Sequence, residues 1–536
     1  MGHERFQKQA GEALRAHQAT LAGLHLRDLL MDPGRPGSMT VTAGPLTLDF
    51  SRMIGQPATM DLLAELAVEL GVPRQLVAMA SGAAVNTTEK RAALHTALRA
   101  SPQPPIMVDG EDVLPDVAET ATRVSDFVEA VTTGTRRDSG GDRITDVVMI
   151  GIGGSDLGPR MVAAATREHH TGQVRVHFVA NVDPAELDAV LPQLKPASTL
   201  VVVISKTFTT VETLANANAA RDWLVVDVGE AGLGQHLAAV TTATERVAEF
   251  GVPTDAVFGF RDWVGGRFSL SSAVGIGIEF ALGRHGMQSL REGMRAVDTA
   301  VLNDPPGQNA ALLLGMLDVW YAQYLGATSK AIVPYAQDLA LLPSHLQQLQ
   351  MESNGKSVTA TGDPVSWPTS PVVWGAPGTN GQHAFFQLLH QGTHLIPIDL
   401  IGVRSISGDE RAELLQANLL AQAAALALGQ TASALESAAV DRVLVPHKVM
   451  PGNRPSTLIW LPDLSPHSVG ALVALYEHAT AVAGFAWGLD PFDQWGVERG
   501  KELANALLPA IAGGPVPAGI DAATLASLAH LRSPVS

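Results

Sequence analysis

The stretch QMESNGKS (350–357) sets a carboxylate, Glu352, at the foot of a helical run that Asn354 and Gly355 are suited to stop. Free carbonyls at such an end oppose negative charge, so Glu352 stands against its local electrostatics and is either incidental or useful. A second stretch, ISKTFTTVET (204–213), follows an apolar run and crowds Ser205, Lys206, Thr207, Thr209 and Thr210 into a helix start. Capping that helix needs one hydroxyl, whereas a phosphate has three terminal oxygens to satisfy and gains from donors and helix dipole together. The four hydroxyls and the lysine therefore favour phosphate binding over capping.

Three more segments carry groups that could face a ligand. IGIGGSDLGPRM (150–161) ends an apolar strand in Gly151, Gly153, Gly154 and Ser155, which suits close backbone approach to an anion or, equally, a tight turn with no ligand. DWVGGRFSLSSAVG (262–275) sets Arg267 after Gly265 and Gly266, either aimed into a cleft or held in a buried salt bridge. VVWGAPGTNGQHAFFQLLHQGTH (372–394) runs from a strand through a glycine loop into a helix with His383, His390 and His394. Their spacing could share a face and hold a metal, but no nearby carboxylate completes a ligand set, and His390 and His394 suit packing on the helix. His383 differs, since it lies at the glycine-loop end.

These groups need strands that end in loops. Short Val/Ile runs alternate with helical stretches: DVVMIGIGG, VRVHFVAN and TLVVVIS first, then KAIVPYA, PVVWGAP, HLIPIDLIGV and STLIWLPDL after a helical region at 270–327. Continuous apolar strands alternating with helices predict parallel sheets covered on both faces. The expected fold is α/β, with two αβα sandwiches and mainly parallel sheets. A mainly helical N-terminal region (1–110), holding one short strand in MTVTAGPLTLDFS, precedes the first sandwich (111–280). The second (281–500) is followed by a helical tail (501–536).

At 536 residues with 46% apolar and 17% charged, the chain exceeds what one core organises. A net charge of -17 and the lack of a dense Lys/Arg run argue against nucleic acid as a partner. No cysteine is present, which removes disulfides, thiol nucleophiles and Cys-ligated metals. The polar start MGHERFQKQAGEALRAH lacks a signal-peptide pattern, and no uninterrupted apolar stretch reaches a membrane span of roughly 18 to 20 residues. A cytoplasmic protein that does not engage a membrane is expected.

The ordered set GIGGSDLGP, SKTFTT, VGGRFSL, MESNGK, PGTNGQHAF, HKV with GNRP, YEH and FDQWGVERGK, between residues 86 and 501, closely resembles the phosphoglucose isomerase family, with its double sugar-isomerase-domain, flavodoxin-like fold. The resemblance implies reversible interconversion of glucose 6-phosphate and fructose 6-phosphate without metal or organic cofactor. It implies Glu352, His383, Lys501 and Arg267 as catalytic groups. Gly154, Ser155, Ser205, Lys206, Thr207, Thr210, Gly266, Gln348 and Gln494 would bind substrate. It further implies a homodimer in which His383 reaches the partner's site. Met149, Ser271 and Ala336 depart from common family residues without falling on any of these positions.

Such an isomerisation needs a base that moves a carbon-bound proton to the adjacent carbon, and Glu352 fits, since a helix carboxyl end and partial burial both raise a carboxylate's pKa. It needs a cation for the developing enediolate, Arg267, and proton handlers for ring opening, His383 and Lys501, whose division of labour stays open. By itself Lys501 reads as a solvated helix lysine. Two other outcomes are a non-catalytic phosphosugar sensor and an isomerase that also accepts mannose 6-phosphate.

Overall fold

The computed structural model describes residues 5–405 and 409–533. It divides into two compact units, Met1–Pro491 and Phe492–Ser536. In the first, two sheets carry the architecture. A hairpin of β1 (Thr40–Ala43) and β2 (Leu46–Asp49) stands where one strand was expected, because Gly44 turns the chain at a φ of 53°. A small hairpin follows, β3 (Met107–Val108) with β4 (Glu111–Asp112).

The first sheet contains β5 (Asp146–Ile150), β6 (Arg175–Val179), β7 (Thr199–Ile204), β8 (Leu237–Val240) and β9 (Val257–Phe258), all parallel, in the order β6-β5-β7-β8-β9. β5, β7 and β8 are buried at every residue, as strands covered on both faces must be. The sequence reading missed β8 and β9, whose runs of four and two residues are too short to show a period. The strand order reverses between β5 and β7, and open parallel sheets collect ligands beyond the strand ends at such a point. GIGGS follows β5 and SKTFTT follows β7, so both glycine- and hydroxyl-rich loops flank this one crevice.

The second sheet contains β10 (Ser329–Pro334), β11 (Val372–Gly375), β12 (Ile398–Val403) and β13 (Ser456–Leu461), parallel to one another. The N-terminal hairpin extends it through an antiparallel β2–β13 pair, giving the order β1-β2-β13-β12-β10-β11. Between the sheets run the helices Ile276–Asn303 and Pro466–Trp487. They approach so closely that a Cβ on Gly293 would lie 1.8 Å from the His467 carbonyl oxygen, and one on Gly470 2.1 Å from that of Leu290. Only glycine fits at those crossings. Pro466–Trp487 is long and apolar enough to cross a membrane, with mean hydropathy 1.4, but its most apolar window is wholly buried inside the protein, so it is a core helix here.

Candidate active site

At the end of β5 the chain turns through Gly153–Ser155 into the helix Leu157–Ala165. A Cβ on Gly154 would sit 2.1 Å from the Gly266 carbonyl oxygen, so glycine is required for this turn to lie against the Gly266–Phe268 turn. The neighbouring Gly153 faces the Gln348 side-chain amide, whose nitrogen would lie 3.1 Å from a Cβ placed there. Gly154, Gly266, Arg267 and Gln348, four expected site residues from distant parts of the chain, thus converge, with half-buried Ser155 beside them. The Gln348 Oε1 is buried without a protein partner among the described residues. A buried acceptor left unpaired is costly unless something else donates to it, and a sugar hydroxyl has the right chemistry.

Glu352 lies on the helix that starts at Leu342, widens into a π-helical turn over Gln347–Glu352 and ends at Asn354. π-turns within helices occur often at functional sites because they re-aim side chains. The stop is as expected: Gly355 N–H donates to Met351 O at 2.8 Å, and Asn354 Nδ2 donates to Thr480 O at 2.9 Å. Tertiary structure then adds a partner. Arg267 Nη1 donates to Glu352 Oε2 at 3.3 Å, its Nε to Ser353 Oγ at 2.6 Å and its Nη2 to Pro491 O at 2.7 Å. The Arg267 side chain is 1% exposed and that of Glu352 22%. Arg267 therefore stands in a buried salt bridge, and the partly exposed end of that pair is Glu352. The helix end alone opposes the charge on Glu352; the guanidinium offsets that opposition.

The loop after β7 is built differently. Ser205 is buried and its Oγ donates to Thr210 Oγ1 at 3.2 Å, while the Thr207 and Thr209 hydroxyls pair at 2.6 Å. Thr210 is the N-cap of the helix Val211–His236, and no side chain caps that helix. The hydroxyls serve one another and the amides at the helix start have no side-chain cap, so simple capping does not account for the cluster. Lys206 Nζ donates to Asp262 O at 3.0 Å, and Arg91 Nη1 donates to the same oxygen at 2.7 Å. Burial first, and then the Arg91 cation, lowers the Lys206 ammonium below the ordinary lysine value. Sequence reading missed Arg91: a lone arginine in TEKRAALH carries no local signal, and only folding brings it beside Lys206.

His383 is exposed at the end of the short helix Gly378–Gln382, which follows β11. His390 Nε2 pairs with Gln422 Oε1 at 2.9 Å and its ring lies 6.0 Å from that of Phe386, so His390 packs against its neighbours. Among the described residues no three His, Cys, Asp or Glu side chains are grouped to hold a metal ion. Gln494 and Lys501 belong to the second compact unit, Gln494 just before the turn Trp495–Val497 and Lys501 on the helix Glu498–Ile511. Lys501 is exposed and pairs with Glu498 at 3.1 Å.

The comparisons with known proteins agree with one another. The family model for phosphoglucose isomerase matches residues 49–528. Glucose-6-phosphate isomerase 3 of Rhodococcus jostii (strain RHA1) is 48% identical over 530 residues, which cover 97% of this chain and 96% of that protein. The glucose-6-phosphate isomerase of Mycolicibacterium smegmatis (strain ATCC 700084 / mc(2)155) is 47% identical over 518 residues, covering 95% and 94%. The crystal structure of a glucose-6-phosphate isomerase from Chlamydia trachomatis superposes with a TM-score of 0.85 at 32% identity, over 98% of this chain and 99% of that one. With a family match over nearly the whole length, and with the glycine turn after β5 packed against the segment that carries Arg267, the chain belongs to the phosphoglucose isomerase family.

Proposed function

We propose that this protein is an enzyme that reversibly interconverts D-glucose 6-phosphate and D-fructose 6-phosphate through a cis-enediol or enediolate, with Glu352 as the base. The observation that carries this reading is the Glu352–Arg267 pair at 3.3 Å, a partly open carboxylate against a buried guanidinium. From the aldose, Glu352 removes the C2 proton and returns it to C1 while a proton moves from the C2 hydroxyl to the carbonyl oxygen on C1. Negative charge develops on oxygen as the enediolate forms, and Arg267, already fixed by Ser353 and Pro491, offers preorganised positive charge. Gly154, Ser155, Gly266, Gln348 and Gln494 contact the sugar. Ser205, Lys206, Thr207 and Thr210 hold its phosphate. His383 and Lys501 handle the protons of ring opening.

The sugar-isomerase domains span 111–280 and 281–500, between a helical N-terminal region (1–110) whose hairpin β1–β2 extends the second sheet and a C-terminal tail from 501. The working form is a cytoplasmic homodimer in which His383 serves the partner's site; the exposure of His383 supports that arrangement. A coupled assay tests the function: fructose 6-phosphate should yield glucose 6-phosphate, with mannose 6-phosphate as competitor to measure breadth. Phosphosugar binding without product would identify a sensor and end the enzymatic reading.

A further inference from the structure

Behind the Gly266–Phe268 turn lies a buried ionic group that the isomerisation chemistry does not use. Arg99 donates to both oxygens of Asp298, at 2.7 and 2.8 Å, and to Glu477 Oε2 at 2.6 Å. His478 Nε2 pairs with Asp298 Oδ1 at 2.6 Å. These residues come from the turn His95–Arg99 and from the two long core helices, so the group ties three separate elements together. The segment leading into that turn is fixed to the Arg267 loop, since Leu94 N–H donates to Trp263 O at 3.1 Å.

His95 connects this anchored group to the site. Its ring is 1% exposed and stacks on Phe268, with centroids 4.6 Å apart and planes 24° from parallel. The Arg267 guanidinium carbon stands 5.5 Å from the centroid of the same Phe268 ring. Contacts therefore run from the ionic group through His478 and His95 to Phe268, and from Phe268 to Arg267 and Glu352. We propose that His95 is a positioning residue for the isomerisation: its stack fixes the plane of Phe268 and thereby the direction in which Arg267 meets Glu352. Burial, and next the Arg99 cation, holds the imidazole well below its ordinary value, so the plate behind Phe268 is neutral and adds no second cation near Arg267. Small displacements of a catalytic group cost rate out of proportion to binding, and a misplacement of about 1 Å can cost about a hundredfold.

This proposal rests on the isomerase reading, and the experiment separates the two. The full chain, His95→Ala and His95→Phe are compared by steady-state kinetics with fructose 6-phosphate and by thermal melting. In His95→Ala, kcat should fall about tenfold to a hundredfold while KM stays within about twofold. His95→Phe keeps a flat ring and should recover kcat to within about threefold of the parent. An unchanged kcat in His95→Ala, or a His95→Phe protein that melts normally yet is as slow as His95→Ala, overturns the proposal. If His95→Ala lacks a cooperative melt, Phe268→Leu removes the other half of the stack: the same fall in kcat at constant KM supports the proposal and full kcat overturns it. An inactive parent protein would instead overturn the isomerase reading.

Discussion

Residues 205–210 and the trio Arg267, Glu352 and Ser353 hold their polar groups in opposite ways. In the loop after β7 the hydroxyls of Ser205, Thr207, Thr209 and Thr210 pair with each other, and Thr207 and Thr209 are exposed. Such pairs exchange readily for an incoming anion, because each hydroxyl can rotate to donate elsewhere. At the other locus Arg267 is buried, and residues 352, 353 and 491 each supply an acceptor to its guanidinium. One region holds its polar groups in exchangeable pairs and the other in fixed ones, a division that suits the proposed phosphate capture on one side and the proposed charge stabilisation in the transition state on the other.

Four experiments would break or sharpen this contrast. The largest effect is expected for Glu352→Gln, which removes the base but leaves Arg267 its bonds to Ser353 and Pro491; kcat should fall by about 10² to 10⁴, with phosphosugar binding retained in calorimetry. Appreciable turnover in that variant would remove Glu352 from its role. Arg267→Lys should follow, because an ammonium cannot reproduce the guanidinium's fork; a loss of about 10²- to 10³-fold in kcat is expected with KM little changed. Thr207→Ala in the adaptable loop should reduce kcat/KM by roughly tenfold or more, the value of a hydrogen bond to a charged group, with much of the loss in KM. If its loss lay wholly in kcat, the two loci would not divide the work as described.

The smallest effect concerns acid stability of the support behind Arg267. Burial acts to raise the Asp298 carboxyl, but the charge and hydrogen bonds of Arg99, together with His478, outweigh it and hold the carboxyl well below the usual carboxylate range. A carboxylate depressed by folding contributes stability that is fully present above its unfolded value of about 3.9 and is lost as pH falls below it. The melting temperature should therefore drop as pH is taken from about 5 to about 3, and Asp298→Asn should show a shallower slope over that window. An equal slope would exclude Asp298 as a contributor.

Much of this site was legible because loops that approach an anion need glycine and hydroxyl residues adjacent in sequence. GIGGS and SKTFTT reveal themselves in that way, and the structure sets both beside the strand-order reversal of the first sheet. Glu352 was also legible, through its place before Asn354 and Gly355. Arg91 and His95 were not, because each acts through a contact that is distant in sequence, to Asp262 O and to Phe268 respectively. The N-terminal hairpin was half legible: its alternating residues announced a strand, but neither its division in two nor its pairing with β13 follows from local pattern.

The sequence by itself determined the residue types, the parallel α/β character and the ordered motifs, since periodicity, turn chemistry and capping are local properties written along the chain. Tertiary structure alone decided that Arg267 meets Glu352, that Gly154 touches Gly266 and that His95 stacks on Phe268. Those contacts join residues far apart in the chain, and they exist only after burial of the two sheets and the core helices has brought distant segments together.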